Sequence, residues 1–266
     1  MKKIVRVISV GVFFAFFFIW ICNFDITQSF DNLVKGLTGA GREIHIGTIY
    51  SFISVNALAF LFHVQMGNFV SEHFNGVGVY VFSRTKKRGK WYGRELVHIL
   101  TASILYMLFL VVLAVGVTFC FDSKGLEMKH ILILCVYVLT WGLYLFASTV
   151  LINVVSVLMG SSKGIFVVEI LHLFLLSHLC MQITGFMEKE SYQWEKVFVN
   201  PISFLHFGIH SCDVKDVDAF INTYGVENSL YLSPVIWGLI SILVCIVGFF
   251  IIKNKQVMES GGEMEL

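Results

Sequence analysis

The chain is predicted to be an all-α, polytopic membrane protein, on three observations. Of its 266 residues, 57% are hydrophobic and only 14% are charged, against roughly 25% charged in a soluble domain. The mean hydropathy is +0.80. Six stretches stay apolar over about the 20 residues that a helix needs to cross a bilayer. They are 4–22, 48–70, 96–121, 131–159, 165–186 and 234–252. None shows the two-residue alternation of a barrel strand, so helices are the spanning elements.

The elements follow in order. Lys2, Lys3 and Arg6 precede the first stretch, as in a signal peptide. The stretch is long and no small-residue cleavage site follows it, so it reads as a retained first helix. The second stretch carries Asn56 and His63 and leads into a basic segment, 71–95. The fourth is long enough to tilt or to extend past the bilayer. With the N-terminus inside, 12 of the 19 basic residues fall in inner segments. Both termini are therefore expected on the cytoplasmic side of the plasma membrane.

The outer segments differ. Segment 23–47 is polar and contains glycine, and 122–130 is short. In the long segment 187–233, Val214, Val217, Ile221 and Tyr224 recur at helical spacing, with Gly225 where a helix would stop. Upstream, Asn200-Pro201 breaks the chain before the apolar stretch 202–207. That stretch is too short to span, and re-enters the membrane or lies on its face. No internal repeat or low-complexity tract divides the chain, so residues 1–266 read as one membrane domain.

The net charge of +1 carries no signal for nucleic acid or acidic substrates, and no nucleic-acid partner is expected; membrane lipids are. Six scattered cysteines without a C-x-x-C suggest neither a zinc ribbon nor a disulfide framework. There is no G-x-x-x-x-G-K-[ST], so the chain has no phosphate loop of its own. Gly160-Ser161-Ser162-Lys163-Gly164 reads as a tight inner turn.

The most informative run is 80–95, which holds Arg84, Lys86, Lys87, Arg88, Lys90 and Arg94 together with Trp91 and Tyr92. A positive-inside anchor needs only the charge. This run also has an apolar lead-in, Val79 to Phe82, and an aromatic return arm, which suit a short amphipathic helix presented to a soluble partner. The pattern Ser83-Arg84, Lys86-Lys87-Arg88, Lys90-Trp91-Tyr92 and the return into Leu96-Val97-His98-Ile99 resembles the ABC-2-type permeases. It is most similar to the small six-helix permeases of Gram-positive export, antibiotic-resistance and bacteriocin-immunity systems. The Val199-Asn200-Pro201-Ile202-Ser203 turn is also similar to a region where that family places short re-entrant helices. In one respect the chain departs: residues 1–5 are too short for the amphipathic helix that often precedes the family's first span.

The resemblance implies a permease subunit of an ATP-driven exporter, and no enzyme activity in this chain. A separate ABC ATP-binding subunit would hydrolyse ATP, and a second permease copy or a homologue would complete the pore. Arg84, Lys86, Lys87, Arg88, Lys90 and Trp91 would couple to the ATPase. Asn200 and Pro201 would belong to an outer gate. The alternative is a non-transporting sensor or immunity module that binds a peptide through the outer segments.

Polar residues inside the membrane are costly and are candidates for function. Asn56 and His63, seven apart, share a helix face. Ser54 and Gln65 fall on roughly the opposite one. Thr149, Asn153 and Ser156 share a face of the fourth stretch. Each of these has a plainer reading as interhelical hydrogen bonding. Glu169 and His172 form a Glu-x-x-His pair, the spacing that binds metals in di-iron bundles. Glu169 lies about four residues, roughly 6 Å, inside the inner end. His178 is half a turn away, and there is no second pair. A buried ion pair or hydrogen bond is therefore expected, with no metal and no directly bound cofactor. Asn56, His63, Glu169 and His172 are the expected translocation face. His206, His210 and Cys212 in the outer segment read as surface or interface residues.

Overall fold

The computed structural model describes residues 11–14, 16–17, 27–39, 46–76, 88–122, 125–187 and 194–254. Among these the architecture is all-helical. The elements are α1 (Phe30–Thr38), α2 (Ile46–Met66), α3 (Phe69–Gly76), α4 (Arg88–Thr118), α5 (Met128–Met159), α6 (Ser161–Met187), α7 (Trp194–Val197), α8 (Lys215–Ile221) and α9 (Leu232–Asn254). Two 3-10 turns, Pro201–Leu205 and Phe207–Ile209, lie between α7 and α8. The described residues form no strand, only an isolated parallel bridge between Ser211 and Ser229.

Among the described residues, four helices are long and apolar enough to cross a membrane: α4, α5, α6 over Lys163–Ile183, and α9. They correspond to the third to sixth apolar stretches. The expected first span, 4–22, lies mostly outside the described residues, although Val12 is buried in the core. The second differs from expectation. The chain is helical over Ile46–Met66, breaks at Gly67-Asn68, and resumes as the short α3. The third helix starts earlier than expected, at Arg88, so the basic return arm is its first turns.

Local chemistry accounts for the boundaries. The Ser29 side chain accepts from the Asn32 N–H and caps α1, and Gly39, at φ 69°, closes it in the left-handed region. Between α5 and α6 only Gly160 intervenes, at φ 103°, a conformation that a side chain resists. Pro234 sits in the first turn of α9, where its missing N–H breaks no intrahelical bond.

Helix α5 is the axis of the bundle. It packs against α4, α6 and α9, against both pieces of the broken helix, α2 and α3, and against α1 and α8. It carries a ladder of buried aromatic rings, Tyr137, Trp141 and Tyr144, with Trp237 of α9 edge-on to Tyr144 at 4.8 Å. The outward faces of α4, α6 and α9 are apolar: Val112, Phe166, Phe174, Ile242 and Leu243 are all more than half exposed. A monomer in water would not carry such faces, whereas acyl chains cover them at no cost.

Within the 187–233 segment, residues 194–231 fold into a cap at the Met187 end of the bundle. Its helix α8 lies inside the expected 213–224 element but stops at Ile221, where Asn222 caps it; Gly225 then turns the chain at φ 64°. Phe207, Ile209 and Ile221 are fully buried beneath it. Helix α1, within a segment expected only to be polar, joins the same end. His130 of α5 bonds Asp31 of α1 at 2.7 Å, Lys129 lies 3.7 Å from the same carboxylate, and Asp122 accepts from the Phe30 N–H. Burial alone would raise the Asp31 pKa, but His130, Lys129 and Lys35 together hold it below the usual carboxylate range.

Candidate functional site

Three helices each contribute a pair of polar side chains to one point within the bundle. From α2 come Asn56 and His63, on one face. From α5 come Tyr144 and Ser148, one turn apart. From α6 come Glu169 and His172, three residues apart. Such spacings align side chains along a helix, and the contacts of α2 and α6 with α5 bring the three faces together.

The pairs are joined by hydrogen bonds. His63 Nδ1 lies 2.5 Å from Glu169 Oε1, and His63 Nε2 lies 2.7 Å from Ser148 Oγ. The Ser148 hydroxyl reaches the Tyr144 carbonyl at 2.7 Å. With that hydroxyl donating to the carbonyl, it accepts from His63 Nε2. Both ring nitrogens of His63 are thus engaged in hydrogen bonds. His63 is 1% exposed, and Glu169 keeps 15% of its side chain exposed.

A second set continues the chain. Tyr144 hydrogen-bonds His172 Nδ1, and His172 Nε2 donates to Asn56 Oδ1 at 2.7 Å. With its second ring nitrogen donating, His172 accepts from the Tyr144 hydroxyl. The four residues expected from sequence as a translocation face are thus held in one cluster. Tyr144 and Ser148 complete it and were missed. Their signal was present, a tyrosine and a serine one turn apart in an apolar helix, but Thr149, Asn153 and Ser156 are the more conspicuous polar set on α5.

That set has a different task. Asn153 sits beside the break between α2 and α3. Its Oδ1 accepts from the Val70 and Ser71 N–H groups at 2.7 and 3.3 Å, and its Nδ2 donates to the Met66 and Thr149 carbonyls at 3.3 and 2.8 Å. Ser156 Oγ reaches Asn68 Oδ1 at 3.5 Å. A broken helix leaves backbone groups that an apolar environment cannot satisfy. One asparagine side chain satisfies three of them at this break.

Asn200 acts similarly at the other end. Its Oδ1 accepts from the Ile202 N–H, and its Nδ2 donates to the Leu175 carbonyl. Leu175 lies 12 residues before the end of α6 at Met187, roughly 18 Å along the helix axis. Asn200 and Pro201 therefore sit deep beside α6, and the turn Pro201–Leu205 packs against both α6 and α9. Ile202, Phe204 and Leu205 are buried there. His206 and His210 are buried as well, not at the surface, and His210 Nδ1 donates to the His206 carbonyl.

Between α6 and α9, below that turn, is a cavity of about 210 Å³ whose walls are almost entirely carbon. Tyr144, Ser148 and His172 form part of the wall, with their polar atoms turned into the cluster.

Of the expected coupling residues, Arg84, Lys86 and Lys87 lie outside the described residues. Arg88, Lys90 and Trp91 occupy the first turn of α4, with Lys90 exposed and the Trp91 ring 6.2 Å from Phe74 of α3. Close by, the buried Glu95 carboxylate faces two histidines, His73 at 3.6 Å and His98 at 3.5 Å. Among the described residues no group of three His, Cys, Asp or Glu side chains is placed to hold a metal ion. No family model matches the chain, and no curated protein or solved structure matches it either.

Proposed function

We propose that the chain is the permease subunit of an ATP-driven ABC exporter of the ABC-2 type. It would have six spans, with both termini in the cytoplasm and the protein in the plasma membrane. A separate ATP-binding subunit would supply the energy, and a second permease copy or a homologue would complete the translocation path. The substrate class is amphiphilic: a peptide, an antimicrobial compound or a lipid-like molecule.

The observation that carries this reading is the continuity of the basic, aromatic run with α4. Arg88, Lys90 and Trp91 open a 31-residue helix that runs through the bundle to Thr118. A displacement applied at that end is delivered along a rigid element to α5, on which the polar cluster is built. In this reading the cluster of Asn56, His63, Glu169 and His172 lies where helix movement exchanges hydrogen-bond partners, so it registers the change of state.

The folded cap at the Met187 end supports a second reading, a sensor or immunity module that binds a peptide there without transport. One experiment separates the two. The full chain is purified from its native membrane in a mild detergent, as the native protein and with Arg84, Lys86, Lys87 and Arg88 all changed to Glu, and co-purifying proteins are identified by mass spectrometry. The permease reading expects a soluble ATP-binding subunit near stoichiometry with the native chain, and its loss with the variant while reporter fusions show unchanged topology. Recovery of the chain without an ATPase, or an intact complex with the correctly inserted variant, overturns the coupling role.

A further inference from the structure

The cavity between α6 and α9 has a feature that the polar cluster does not explain. Both helices pack on α5 and on the Pro201–Leu205 turn, yet they scarcely touch each other. The result is a side window in the bundle, floored by Ala147 and Leu151 of α5, flanked by Leu171 of α6 and Ile240 of α9, and roofed by Ile202. Its volume is about 210 Å³. A dry apolar cavity of about 150 Å³ is already enough to take up a small hydrocarbon.

We propose that this window is a binding site for one acyl chain of a bilayer phospholipid, inserted between α6 and α9 beneath the 3-10 turn. Three observations select that occupant. The walls offer carbon and almost no polar atom, so neither water nor a headgroup is accommodated. The adjoining faces of α6 and α9 are apolar and exposed, at Phe174, Ile242 and Leu243 among others, so acyl chains are what surrounds the opening. The roof is held in place by the Asn200 bond to the Leu175 carbonyl, which keeps the space from collapsing. A chain seated there would rest against the carbon faces of Tyr144 and His172, and so couple lipid occupancy to the geometry of the cluster. The inference does not depend on the exporter reading.

The test uses the full chain in phospholipid nanodiscs doped with a phosphatidylcholine that carries a diazirine in mid-chain. After irradiation, labelled residues are mapped by mass spectrometry. Ile202 is 2% exposed and Phe174 66%, so only a chain inside the window reaches the former, whereas bulk lipid reaches the latter. The expected result is label on Ile202 as well as Phe174. In the variants Ala147→Leu and Ile240→Phe, which fill the space, label on Ile202 is lost and label on Phe174 remains. Absence of label on Ile202 in the native chain overturns the proposal, as does equal labelling in the filled variants. The native map decides the question even where a filled variant fails to fold.

Discussion

His63 is 1% exposed and bonded at both ring nitrogens, to Glu169 and to Ser148. Removing Glu169 leaves a buried ring nitrogen of His63 without its partner, and removing His63 leaves Glu169 half-buried without its own, which costs more than the bond itself contributes. The double replacement His63→Leu/Glu169→Leu is therefore expected to destabilise the protein less than the sum of the two single replacements. The coupling energy should be on the order of 1–3 kcal/mol. Reversible unfolding in mixed micelles measures it, and additive single effects would show that the two residues do not act as a pair. The sequence made Asn56, His63, Glu169 and His172 visible because they are polar in apolar stretches. It left Tyr144 and Ser148 inconspicuous, because tyrosine and serine are ordinary in membrane helices. Their membership depends on the rotation of α5, which composition does not encode.

At the scale of the element, the break at Gly67-Asn68 shows how a buried helix is interrupted without orphaning its backbone. Asn153 is 2% exposed and makes four hydrogen bonds, two with the N–H groups that open α3. Asn153→Leu keeps the volume and removes all of them. Each orphaned buried donor costs about 1–3 kcal/mol, so the variant is expected to unfold at lower temperature. Faster amide exchange should be confined to Met66–Ser71. Exchange that is unchanged there would mean that the break is satisfied by other groups. In sequence this region looks like one continuous span, 48–70. Only a residue 83 positions away from Val70 reveals why it is two helices. The Asn200-Pro201 signal was legible, since a proline after asparagine ends regular structure. The depth of the turn beside Leu175 was not, because no local pattern reports which neighbour a carbonyl meets.

Across the whole molecule, the cap at the Met187 end is expected to confer an acid sensitivity. Burial pushes the His206 pKa down from 6.5 to about 4, and that of His210 down to about 3. A histidine with a depressed folded pKa is neutral in the folded state and binds a proton more readily when unfolded. Its contribution to stability is thus complete above the unfolded value of 6.5 and is lost as pH falls through that value toward about 4. Thermal unfolding of the full chain in detergent should show a midpoint that drops between about pH 7 and about pH 4. The drop should be smaller in His210→Gln, which does not titrate. An equal drop in the variant would assign the acid sensitivity to other groups.

The sequence by itself determined that the described residues are helical, where four helices long and apolar enough to cross a membrane lie, and which polar residues stand out in the apolar stretches. Length and hydropathy suffice for that, because a bilayer imposes a minimum apolar run on any helix that crosses it. Helix α1 was legible in principle through Ser29 and Gly39, but its nine residues are too few to stand out in a polar segment. Tertiary structure alone decided which helix is central, where α2 breaks, how the six polar residues meet, and that α6 and α9 part to leave a window. The physical reason is that the apolar residues of α5 are spread around the whole helix, and lipid and protein interior are equally apolar. In water, the apolar stripe of a helix marks the face turned to the core. In a membrane that mark is absent, and the rotation of each helix follows from packing and from interhelical hydrogen bonds, which exist only once the bundle has assembled.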